Sequence, residues 1–254
     1  MSLDQIVTRL RDTEGVVYQD EITREQESRP SGFVSDVVYH GTVQDLSPGA
    51  AAASERRRLT RFSWRAFAQI AMQVCEALRY AHHKKILHND IKPGNVLLNA
   101  EGQVWITDFG LSASAQASAS TEETLHPYGT LRYMAPERFA GSHDGRSDLY
   151  SLGMTLYEML TLQPAFEADS EAELIRRIQQ EPIVAPSALQ PSVPRDLETI
   201  VLNCVAKRPE HRYQSAEALY SDLLLFGRGQ RVRSTRPHRL SVLWNWWKPG
   251  SSPR

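Results

Sequence analysis

The chain has 254 residues, 41% hydrophobic and 23% charged, with a formal net charge of −1. That is the composition of a globular protein able to bury a sizeable core, and it excludes disordered, collagen-like and disulfide-framework classes. No apolar run approaches membrane-spanning length and the N-terminus lacks the apolar core of a signal peptide, so a cytoplasmic location is expected. The charge is unevenly placed: no Asp or Glu follows Asp222, and the last 32 residues carry +7, leaving −8 for the rest. The two cysteines, Cys75 and Cys204, fall within apolar helical patterns and read as buried thiols rather than a disulfide.

Residues 2–10 read as a short amphipathic helix with Leu3, Ile6, Val7 and Leu10 on one face. Val16–Tyr18 and Gly32–Val38 are candidate strands, and residues 47–61 form a small-residue and basic connector. From Ser63 the signal sharpens. Phe67, Ile70, Ala71, Val74, Leu78 and Ala81 recur at helical spacing, so one long helix is expected to deliver the chain to Lys84–Leu87. His82, His83 and His88 read as packing and loop residues rather than a metal cluster.

Residues 88–110 carry the chemistry. Asp90 is followed five residues on by Asn95 and thirteen beyond that by Asp108, with Val104–Thr107 reading as a short strand between them. Transfer of a phosphoryl group asks little covalent help of a protein. It needs a divalent metal to hold charge, a nearby cation, and a carboxylate to take the acceptor's proton. Asp90, Lys92, Asn95 and Asp108 are the residue types for that set.

Past Gly110 a small, polar run through Ser118, Ser120, Thr121 and Thr124 reads as a loop. Gly129–Glu137 follows, then a helix from Asp148 that is apolar around most of its circumference, a capped helix after Ser170, another around Leu197–Val205, and a last one over 216–226.

The segments His88-Asn89-Asp90-Ile91-Lys92-Pro93-Gly94-Asn95, Asp108-Phe109-Gly110, Gly129-Thr130 through Ala135-Pro136-Glu137, and Asp148 together resemble the large lobe of bacterial eukaryotic-like serine/threonine protein kinases. The resemblance is tight from about Phe62 to Phe226. It implies an α+β, kinase-like fold, mainly helical, with a reduced small lobe. The implied division is residual small lobe and hinge at 1–46, connector at 47–61, large lobe at 62–226, and a basic, Trp-rich tail at 227–254. It also implies ATP and Mg2+ as cofactors and a protein substrate with a Ser or Thr acceptor. In that frame Asp90 accepts the hydroxyl's proton, Lys92 neutralises the γ-phosphate, and Asn95 and Asp108 hold magnesium. Thr130 hydrogen-bonds near Asp90 and Lys92. Leu97 presses on the adenine, with Asp36 and Val38 facing it through backbone groups. His88 and Phe109 pack beneath the loop, Asp148 holds its backbone, and Glu137 pairs with Arg212.

The sequence departs from the family pattern in three places. The first lysine is Lys84 and no Gly-x-Gly-x-x-Gly occurs, so the chain reads as N-truncated, with the opening helix standing where a small-lobe helix would. Asn89 occupies the place of the arginine that usually receives an activation-loop phosphate. Readings as a non-catalytic kinase-like interaction module, or as a small-molecule phosphotransferase, stand beside that of an active enzyme; the Gly-Thr…Ala-Pro-Glu segment argues against the second of these. In the tail, three of five tryptophans fall within four positions among cations, which reads either as a weak membrane-surface contact or as cover for a groove on the large lobe, while nucleic-acid binding is not expected.

Overall fold

The computed structural model describes residues 1–11, 64–109 and 129–236. The hinge residues Asp36 and Val38, the connector, the polar loop with Ser118 and Thr124, and the Trp-rich segment lie outside these residues.

Helix α1 (Leu3–Arg11) buries Leu3, Ile6, Val7 and Leu10. Its partners are the turn at Pro93–Asn95, the strand that follows, and the central helix of the fold. The apolar stripe is therefore buried in the helical body.

Helix α2 (Trp64–His83) hides Phe67, Ile70, Ala71, Val74, Cys75 and Leu78 and ends where Lys85 turns through a positive φ of 60°. Two short strands follow, β1 (Val96–Leu98) and β2 (Val104–Ile106), paired antiparallel with Leu97 opposite Trp105. Their turn is closed by Asn99, whose Oδ1 accepts from Gln103 N at 2.8 Å, and by Gly102 at φ 75°. Gln73 of α2 fastens the hairpin at both edges, donating to Gly102 O and accepting from Val104 N, each at 3.0 Å. Ser2 bridges the free side of β1 at Leu97, with Leu98 N donating to Met1 O at 2.8 Å.

Helix α3 (Gly145–Thr161) is the axis of the molecule, and every residue from Ser147 to Thr161 is buried. Such a helix is apolar around most of its circumference, here through Leu149, Tyr150, Leu152, Met154, Leu156, Tyr157, Met159 and Leu160. Asp144 and Ser147 cap its N-terminus reciprocally. Helix α4 (Glu171–Gln180) is capped by Ser170, the short α5 (Pro186–Leu189) follows, and α6 (Arg195–Cys204) and α7 (Ala216–Gly227) complete the body. Helix α7 lies along α2, and α6 packs on α3. Cys75 and Cys204 are both buried free thiols.

The α3–α6 crossing is close because position 153 is glycine. A Cβ there would lie 2.4 Å from Cys204 Cβ and 2.8 Å from Val205 Cγ1, both of them short, stiff neighbours. Gly153→Ala is expected to destabilise the fold by about 1–3 kcal/mol through overpacking. Urea denaturation checks this; an unchanged midpoint would mean that the two helices can separate freely.

Candidate active site

The site is built on the 20-residue stretch between α2 and β2, and α3 holds it from below. The Asp148 carboxylate, 1% exposed at the start of α3, accepts from the backbone N–H of His88 at 2.9 Å and of Asn89 at 2.8 Å. His82 Nε2 from the end of α2 meets the same carboxylate at 2.8 Å. Asn89 sits at φ 66°, a left-handed conformation that asparagine tolerates better than most residues. From the other side Arg138 donates to the Asn89 carbonyl. Burial pulls the Arg138 guanidinium below its ordinary value, and the carboxylates of Asp148, Asp90 and Glu137 work against that.

His88 is fully buried and its role is structural. Its Nδ1 accepts from Asp90 N at 3.2 Å, so Nε2 carries the proton and donates to Thr107 O at 2.9 Å. Burial lowers its pKa, outweighing the upward pull of Asp148, which keeps the ring neutral as this bonding requires. The ring of Phe109 rests on it with centroids 4.4 Å apart. His88 thereby links the loop carrying Asp90 to the strand end carrying Asp108.

Asp90 is held on two sides. Asn95 Nδ2 donates to both its carbonyl and its Oδ2 at 2.9 Å, and Lys92 Nζ lies 3.1 Å from Oδ2. The same ammonium donates to Thr130 Oγ1 at 2.9 Å, so one lysine ties the candidate base to the Gly-Thr pair 38 residues further on. Asn95 in turn accepts Thr107 N through its carbonyl at 3.0 Å, which sets the adjacent Asp108 beside the turn. Asp108 is exposed at φ 64°, its Oδ2 accepting from Thr107 Oγ1 at 3.3 Å. With Asn95 Nδ2 engaged by Asp90, its Oδ1 and the exposed Asp108 carboxylate are oxygen donors that a cation could take. Hard oxygen ligands are what Mg2+ takes, usually completed by water and substrate phosphate, so the donor set fits that ion. Leu97 lies half-buried on β1 beside these groups, next to Trp105, which is 62% exposed.

A second layer secures the segment around Thr130. Arg212, with its side chain wholly buried, makes two parallel 2.7 Å bonds to the Glu137 carboxylate. It also donates to the carbonyls of Ala206, Lys207 and Arg146 and lies over the Tyr150 ring at 4.7 Å. Ser147 Oγ adds a 2.8 Å bond to Glu137. Nearby, Glu158 of α3 accepts from Tyr133 and from Arg11 of α1. Burial and the Glu158 charge push the Tyr133 phenol up, so its hydroxyl remains a donor. Sequence reasoning did not find Arg138, or the trio Arg11, Tyr133 and Glu158. The one available signal was Glu158 itself, a carboxylate in the mainly apolar stretch of α3 that follows Asp148.

A model of the protein kinase domain matches residues 6–224. This chain belongs to the protein kinase family. Among its relatives, the serine/threonine-protein kinase PknB of Mycobacterium leprae is 38% identical over 163 residues, covering 64% of this chain and 26% of that protein. PknB of Mycolicibacterium smegmatis is 37% identical over 164 residues, again 64% and 26%. The chain thus spans about a quarter of the length of the curated relatives it matches. As a kinase domain it is rich in helix, with a two-stranded sheet among the described residues. Among those residues no helix is long and apolar enough to cross a membrane.

Proposed function

We propose that this chain is a serine/threonine protein kinase module that transfers the γ-phosphoryl group of Mg-ATP to a protein hydroxyl. The observation that carries the reading is the Asp90 carboxylate, fixed between Lys92 and Asn95, with Thr130 on the same ammonium. Asp90 then orients the acceptor hydroxyl and takes its proton, and Lys92 balances charge on the moving phosphoryl group. Asn95 and Asp108 are the residues to hold Mg2+, which when bound would neutralise phosphate charge. Leu97 supplies an apolar floor for the base. Asp148, His88, Phe109 and the Glu137–Arg212 pair act through the backbone they hold.

A second reading, a kinase-like interaction module without catalysis, is favoured by one feature: no lysine precedes Lys84 and no Gly-rich loop occurs. Without a covering loop the phosphates stay wet, which weakens every electrostatic contribution to the transition state. Transfer by this chain is therefore expected to be slow beside that of a kinase possessing both parts. Radiolabel transfer from ATP to a generic protein substrate and to the chain itself separates the readings. Label above background that needs Mg2+ supports the enzyme; none at micromolar protein supports the interaction module.

The tail after Asp222, with seven cations and no acid, is assigned a weak, reversible contact with anionic membrane surfaces. Co-sedimentation with anionic vesicles is expected to fall steeply as salt rises, since the attraction decays within a Debye length of about 10 Å at 0.1 M. A version ending at Phe226, which removes all seven cations, should lose it; equal sedimentation of the two chains would remove the assignment.

A further inference from the structure

Beyond α7 the chain turns back. Residues 231–236, Arg-Val-Arg-Ser-Thr-Arg, lie as a strap across α6 and α7. Its central fastening is Asp222, a carboxylate only 2% exposed. Asp222 Oδ1 accepts from Arg233 N at 2.9 Å and Oδ2 from Ser234 N at 3.0 Å. The Tyr213 hydroxyl lies 2.8 Å from Asp222 Oδ2 and 2.9 Å from Ser234 Oγ. Val232 is buried beside it, Asn203 Nδ2 donates to Thr235 O at 3.1 Å, and Arg236 pairs with the buried Glu198 at 2.9 Å.

Proton accounting at this fastening assigns the donors. An ionised carboxylate only accepts, so the single Tyr213 proton goes to Asp222. The Tyr213 oxygen can then only accept from Ser234, which makes the Ser234 hydroxyl a donor into the cluster. A phosphate ester at Oγ removes that proton and places about −1.5 to −2 charges beside a buried carboxylate. The strap's own arginines compensate little: Arg231 and Arg233 are exposed, where solvent and salt screen their charge, and Arg236 is engaged with Glu198. Repulsion at Asp222 therefore governs. The same arginines stand three and one residues before Ser234 and two after it, a pattern suited to a kinase whose substrate groove is acidic. Apart from Val232 and the half-buried Ser234 the strap is exposed, so brief local opening can present the hydroxyl.

We infer that Ser234 is a phosphorylation site, and that its phosphate unlatches residues 231–236 from Asp222 and Tyr213. The step forms a bond between Ser234 Oγ and the γ-phosphorus of ATP and breaks the bond to the β,γ-bridging oxygen. ADP leaves, and the hydroxyl proton passes to the carboxylate base of the modifying kinase.

The full chain is incubated with Mg-ATP and a purified arginine-directed serine kinase, and in a parallel arm with Mg-ATP alone. Peptide mass spectrometry locates the phosphate, and hydrogen exchange follows the Arg233 and Ser234 amides. The second arm asks whether the chain modifies itself; the first makes the outcome independent of its own activity. Phosphate on Ser234 in either arm is expected, with exchange at the two amides faster by at least about tenfold. Ser234→Ala should take no phosphate at this position and keep slow exchange, because both backbone bonds to Asp222 survive. Three results overturn the inference: phosphate on Ser234 with exchange unchanged, no phosphate on Ser234 in either arm, or Ser234→Ala exchanging as fast as the phosphorylated chain.

Discussion

Asp90→Asn is expected to lower phosphoryl transfer by roughly 10²–10⁴-fold, the range that a positioned general base contributes. The substitution leaves the hydrogen-bonding shape almost intact, since Asn95 Nδ2 can still donate to a side-chain oxygen at residue 90. What it removes is the charge that holds Lys92 and the ability to accept the acceptor's proton. The loss should therefore appear in kcat more than in the affinity for Mg-ATP. Asp108→Ala acts differently. It deletes an exposed oxygen donor at the edge of the site, so both Mg-ATP binding and transfer should fall, and raised Mg2+ should recover part of the binding. Radiolabel transfer together with nucleotide titration separates the two patterns. Label unaffected by either substitution would come from a contaminating enzyme. Asp90→Asn acting mainly through nucleotide affinity would mean that Asp90 has been given the wrong role.

Arg212→Ala is expected to destabilise the fold by about 3–5 kcal/mol, the range seen when one partner of a buried ion pair is removed. Two parallel bonds to Glu137, three carbonyls and the Tyr150 ring all lose their partner at once. Lysine should not rescue it, because a point ammonium cannot reproduce a planar two-pronged contact. The pH dependence is a second signature. Burial pushes the Glu137 carboxyl up, but the hydrogen bonds and charge of Arg212 outweigh it, leaving its pKa below the ordinary 4.5. A carboxyl with a lowered folded pKa contributes stability above its unfolded pKa and loses it as pH falls through the folded one. The gap in unfolding free energy between the unmodified chain and Glu137→Gln should thus be full at neutral pH and narrow on acidification below 4.5. Urea titrations at several pH values read this directly. A gap that stayed constant with pH would mean that the ion pair contributes nothing beyond its shape.

The Asn89 carbonyl shows how the two regions meet. Arg138 follows Glu137 directly and reaches back 49 residues to that carbonyl. The segment anchored by Glu137 and Arg212 therefore braces the loop that carries Asp90. In this chain the guanidinium beside the loop that carries Asp90 comes from position 138, while position 89 is asparagine.

Much of this was legible in the sequence, and the reason is locality. Apolar spacing marked α1, α2 and α6 within a residue or two and α3 within three, because the face a helix buries recurs every three to four residues. Ser170 marked the start of α4 because a cap is a contact three residues long. The spacing of Asp90, Lys92, Asn95 and Asp108 was readable because a turn and a strand fix their separation. Glu137 and Arg212, 75 residues apart, were matched only through resemblance to the kinase motif set, and the structure brings them to 2.7 Å. Tertiary structure alone decided the rest. Packing brought α1 into the helical body, since an amphipathic helix states that it needs an apolar partner but not which one. Packing also joined Arg11 and Tyr133 to Glu158, Arg138 to Asn89, and the strap at Ser234 to Asp222. Each of these is a contact between groups whose separation along the chain obeys no period, so nothing in the local pattern records it until the core has brought them together.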